Sequence, residues 1–223
     1  MVIQKDVFWK AAILTIVVLA IGIWIGITLD TSRVDEIKNT LSEVEIQFND
    51  ARMQALYHEK FFTNDSEFCN AAIDSNLKFN DVIYQEGIQI ERAELVNRFT
   101  PDLIFQKRKY ALLQMQFWMN SLSIKEKCNS NFTTILYLYN FNVQDDRDTD
   151  INQKLQSAFL LDLKEKCGSS VMLSPLPANI NLTSVDLLVN NYNIKQLPSI
   201  IIDKNITLQG LHNLTELERY VTC

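Results

Sequence analysis

The sequence predicts an α/β protein built in three parts: an N-terminal transmembrane helix, a long helical stalk and hairpin, and a C-terminal module of order β-α-β-α-β-β-α. Three observations carry this. Residues 11–29 form an unbroken apolar run, residues 30–127 keep helical periodicity on both sides of one Thr-Pro break, and from residue 132 the pattern changes to β-branched and aromatic stretches separated by short helices. The expected boundaries are 1–30 for the cytoplasmic tail and anchor, 31–128 for the stalk and hairpin, and 129–223 for the last module. With only five Gly and four Pro in 223 residues, the chain is neither low-complexity nor turn-rich.

The apolar run Ala11 to Leu29 has two threonines as its only polar side chains. Nineteen residues at helical rise span about 28 Å, close to the hydrocarbon thickness of a bilayer. Lys5 and Lys10 flank one end and Asp30 the other, and Trp9 stands where an interfacial aromatic belongs. A cleaved signal peptide is the rival, but its core is shorter and ends in a small-residue site that Thr28-Leu29-Asp30 does not provide. Membrane lipid is therefore the expected partner of residues 11–29, and the cell membrane the expected location. Basic residues are nearly balanced across the span, so orientation rests on two other signals. The four cysteines are even in number, and five Asn-x-Ser/Thr sequons (Asn64, Asn131, Asn181, Asn205, Asn213) all follow the span. Both place the body outside the cytoplasm.

From Asp30 to Phe62 the positions Val34, Ile37, Leu41, Val44 and Phe48 step by threes and fours, and Ser32 to Asp35 can cap a helix start. The seam fits two uses: a homodimer through the stalk helix, or packing of the stalk on its own body. A second helical stretch runs from Asn64 to Phe99. Thr100-Pro101-Asp102 then restarts the chain as a third helix, with Thr100 as N-cap and Pro101 in its first turn. That helix is rich in aromatics and methionine, which suits a core and also a partner groove. The two stretches make an antiparallel hairpin turning near residue 100. Cys69 lies 31 residues before the turn and Cys128 lies 28 after it, so equal arms bring them together at the open end and predict a disulfide.

In the last module Thr133 to Phe141 reads as a buried strand and Asp146 to Lys166 as a helix stopped by Gly168. Ser170 to Leu173 reads as a short strand, Thr183 to Asn191 as a helix, and Ser199 to Asp203 and Ile206 to Leu208 as paired strands. Asn213 or Thr215 caps a last helix reaching Cys223. With the strand Ile135-Leu136-Tyr137-Leu138-Tyr139-Asn140-Phe141, the segment Leu197-Pro198-Ser199-Ile200-Ile201-Ile202-Asp203, Gly210 and the final helix, residues 132–223 resemble the thioredoxin fold. The resemblance implies that Pro198 is the cis-proline before the central strand. It implies also that the first and last helices of the module end at one sheet edge, which pairs Cys167 with Cys223. Each bridge closes a loop of nearly 60 residues and stabilises by about 4 kcal/mol in the chain-entropy model.

The departure from that family carries equal weight. Its dithiol sits just after the first strand, at a helix N-terminus that lowers thiol pKa. Here that place reads Asn142-Val143-Gln144-Asp145-Asp146-Arg147, without Cys, Ser or His. No catalytic residue is therefore assigned, and the four cysteines are read as structural. The alternation Asp146, Asp148, Asp150, Asn152 lacks the Gly and Glu of an EF-hand, because Ile151 and Ser157 stand in their places. His58 and His212 are the only histidines, so no metal site and no cofactor is expected. A net charge of −6 argues against a nucleic-acid surface, which needs a basic face. The function expected is a membrane-anchored binding or scaffold protein with an unknown protein partner. The alternatives are a thiol–disulfide oxidoreductase using an unusual cysteine pair, and an accessory subunit of a membrane complex.

Overall fold

The computed structural model describes residues 3–61, 65–97, 100–141, 143 and 146–223, and the side chains of these except at 3–7, 27–37, 51, 54–61, 65–68 and 95–97. The chain is a mixed α/β protein, mostly helical, with one four-stranded sheet and one N-terminal apolar helix. Helix α1 (Ile3–Phe61) is continuous for 59 residues, about 88 Å. The span and the stalk are thus one element, and no helix starts at Ser32. The reason is compositional: no Gly or Pro interrupts residues 27–61. Within α1, Phe8–Gly26 is long and apolar enough to cross a membrane, and its side chains are not covered by the protein.

Above the span, α1 packs on α2 (Asp65–Asn97) and α3 (Pro101–Cys128). Leu41, Val44 and Phe48 are buried there, so this part of the seam is used within the chain. Val34, Ile37, Ala51, Ala55 and His58, which the seam would also include, lie outside the described side chains. Phe48, Phe79 and Phe117 join the three helices through ring centroids 4.9 and 5.6 Å apart. Helix α3 starts where Thr100 accepts from the Leu103 N–H and ends where Asn129 turns left-handed at φ 49°. Across the hairpin Cys69 faces Cys128 and Asn76 faces Ser121, and the Cys69–Cys128 bridge closes with Cα atoms 5.3 Å apart.

The sheet has order β2-β1-β3-β4, with β1 (Thr133–Tyr139) parallel to β2 (Val171–Pro177) and antiparallel to β3 (Ser199–Ile202), which is antiparallel to β4 (Ile206–Gln209). Side chains alternate across it. Ile135 and Tyr137 face helix α4 (Arg147–Cys167) and the short α6 (Leu214–Leu217). Leu136 and Leu138 face α5 (Thr183–Asn191) together with Ala111 and Trp118 of α3. Helix α3 therefore serves the hairpin core and the sheet core at once. Asp203 ties them further, accepting from the Thr134 N–H at 2.9 Å and pairing with Lys125 at 2.6 Å.

Two expectations need correction. Strand β2 runs to Pro177 rather than stopping at Leu173. It is an edge strand, and Pro175 and Pro177, two apart, both turn their missing N–H toward the free edge, so no ladder bond is lost. The last helix is one turn, capped by Asn213, whose side chain accepts from Glu216 N–H at 3.0 Å. A 3-10 turn over Glu218–Tyr220 follows, and Val221 is extended, which turns Cys223 back onto Cys167 with Cα atoms 4.6 Å apart. The Leu197–Pro198 peptide bond is cis.

Candidate binding cleft

The residues singled out from sequence do not gather in one place. Cys128 closely precedes β1 and Cys167 closely precedes β2, whose first residues pair, so both bridges lie at the amino end of these strands. None of the four cysteines is free. Pro198 precedes β3. Asp146 caps α4 by accepting from Thr149, whose amide and hydroxyl hold its carboxyl below the usual range. Asp150 pairs with Lys154. His212 is held by Glu216 and the Gln209 carbonyl, whereas the side chain of His58 lies outside the described residues. Among the described residues no group of His, Cys, Asp or Glu is placed to hold a metal.

The concave site lies at the opposite end of β1, on the α4 side of the sheet. A cleft of about 380 Å³ opens between α2 and α4, with β1 and β2 as its floor and Lys107, Tyr110 and Gln114 of α3 as its inner wall. Parallel strands leave such a crevice beyond their carboxyl ends. Tyr137 and Tyr139 are two apart on β1 and present stacked rings, 5.5 Å between centroids. Gln153 of α4 clamps the strand end through both amide atoms, donating to the Asn140 carbonyl at 3.1 Å and accepting from the Asn140 N–H at 3.2 Å. The Tyr137 hydroxyl donates to the Gln153 carbonyl at 2.7 Å.

Lys107 is the unusual member, with only 5 % of its surface exposed. Its Nζ lies 2.5 Å from Glu94 and within 5.5 Å of the ring centroids of Tyr139 and Phe141. Burial disfavours its charge, but Tyr139 and Glu94 outweigh that and raise its pKa, so it is an ammonium at neutral pH. Burial pushes the phenols of Tyr110, Tyr137 and Tyr139 above their ordinary value. On the hairpin side the Tyr110 hydroxyl donates to the Ile83 carbonyl at 3.1 Å and accepts from Gln114 at 2.5 Å. It reaches α2 only because residue 87 is glycine: a Cβ there would stand 2.3 Å from Tyr110 Oη. Gln114 is 1 % exposed, and its Oε1 has no hydrogen-bond partner.

Sequence reasoning missed this site. Tyrosines alternating along a buried strand were a usable signal, because their hydroxyls need partners. The hairpin sets Lys107 across from Glu94, seven and six residues from Thr100, but nothing in the sequence marks that pair as part of a cleft. Comparison of the chain with protein-family models and with characterised proteins gives no match.

Proposed function

We propose that this is a membrane-anchored, extracytoplasmic protein with a thioredoxin-like module that binds other molecules and performs no thiol chemistry. One observation carries the reading. At the carboxyl end of β1, where the resemblance would put a dithiol, the chain has a cleft built on Lys107, Glu94 and Tyr139, while all four cysteines are paired at the other end of the strands. The module's element order and its sheet order β2-β1-β3-β4, with only β1 and β2 parallel, are those of a minimal thioredoxin-like core and support the fold assignment. The uncovered apolar helix supports the anchor. The disulfides support an oxidising compartment. Asn131, Asn181, Asn205 and Asn213, the sequon residues with described side chains, are all exposed, as an extracytoplasmic body allows.

The test is insulin reduction by the full chain in lipid nanodiscs with dithiothreitol as electron source. The expected rate equals that of dithiothreitol alone. Turnover that vanishes when a cysteine is replaced by serine would establish the oxidoreductase alternative.

A further inference from the structure

The cleft offers a ligand a defined set of groups. Lys107 carries three N–H donors, more than its ion pair with Glu94 uses. Gln114 offers an acceptor, buried and unpartnered on the same wall. Burying an acceptor without a partner is costly, and a ligand N–H would satisfy it. The two residues are seven apart on α3, so their Cα atoms lie about 10 Å apart along the axis. Three residues of extended chain cover that distance. Tyr84, Ile88, Phe141 and Pro175 give the lining an apolar and aromatic part, beside the polar Asn140, Gln153 and Ser157. Lys107 pairs with Glu94 and Lys154 with Asp150, so the surplus charge of the lining is the single carboxylate of Glu91. An anionic ligand is therefore disfavoured, and a group that both accepts and donates hydrogen bonds is favoured.

We propose that the cleft takes an uncharged, extended peptide segment of about three residues, one backbone carbonyl accepting from Lys107, one backbone N–H donating to Gln114, and an apolar side chain lying among the rings. This deepens the binding role proposed above and rests on it. The same amide chemistry occurs in small amides, and length separates the two sources.

The experiment titrates the full chain in nanodiscs with N-acetyl-Ala-Phe-Ala-amide, its analogue with an ester replacing the alanine N–H after phenylalanine, and N-acetyl-Phe-amide, each followed by calorimetry. The tripeptide is expected to bind about tenfold more tightly than either comparison probe. Gln114→Leu is expected to abolish the difference between amide and ester. Ser157→Trp, on the half-buried rim of α4, narrows the cleft without touching that network and is expected to weaken tripeptide binding by about tenfold or more. It serves if Gln114→Leu fails to fold. No heat from the tripeptide, equal affinity for the single-residue amide, or binding unaffected by Ser157→Trp would each overturn the proposal. Those results with insulin still unreduced remove the peptide site alone, whereas insulin turnover removes the non-redox reading beneath it.

Discussion

Replacing a helix-interior glycine by alanine ordinarily stabilises by about 1 kcal/mol. At Gly87 the reverse is expected. An added Cβ would lie 2.3 Å from Tyr110 Oη and 3.1 Å from Cζ, both parts of a buried ring rather than of a movable chain end. The ring must withdraw, which breaks its bond to the Ile83 carbonyl and disturbs that to Gln114. A strained repacking costs about 1–3 kcal/mol and a buried polar group left unpaired costs about the same. Against the gain in helix propensity, Gly87→Ala should destabilise by about 2–3 kcal/mol, or roughly 4–12 °C for a body of this size. Thermal and chemical unfolding of the full chain in detergent, followed by circular dichroism, measures this. Tyr110→Phe removes the clashing oxygen and leaves only the 3.1 Å approach to Cζ, so Gly87→Ala in that background should cost clearly less. A raised melting temperature for the single variant, or an equal cost in both backgrounds, would refute the packing argument.

Other outcomes follow from the same cluster and from the proposed anchor. Glu94→Gln leaves the Lys107 ammonium buried without its carboxylate and should cost about 3–5 kcal/mol. Adding Lys107→Met should recover most of it, which urea unfolding of the two variants checks. Tyr110, Tyr137 and Tyr139 have folded-state pKa values raised above the ordinary 10.0. Their stabilisation is therefore complete below pH about 10 and lost above it, as the unfolded chain ionises first. Tyrosinate absorbance should show these three of the seven tyrosines ionising only with unfolding, and a smooth titration of all seven in the folded state would contradict it. Protease added to intact cells should degrade residues 31–223, and protection until lysis would reverse the topology.

How much was legible in the sequence varied by element. The hairpin was, because Thr100-Pro101 marks a helix start and two cysteines lie at nearly equal distances from it. The sheet strands were too, because buried strands are dense in β-branched and aromatic residues. Pro175 and Pro177 hid the second half of β2, since a proline reads as a strand breaker until the strand is known to be an edge. The continuity of α1 was hidden by the change from apolar to charged residues at Asp30, which alters its surroundings and not its backbone. The cleft was not legible. Lys107, Tyr110 and Gln114 come from α3 and Glu94 from α2, which the hairpin alone brings together, whereas Tyr137 and Tyr139 come from β1 and only the docking of the hairpin on the sheet sets them beside that group.

On the proposed function, the four cysteines are structural cross-links in an extracytoplasmic body. Iodoacetamide trapping of protein in intact membranes under mild reductant, followed by digestion and mass spectrometry without further reduction, tests it most directly. The expected result is the linked peptides Cys69–Cys128 and Cys167–Cys223 with no alkylated cysteine. Alkylation of any of the four, or scrambled pairs, would contradict it.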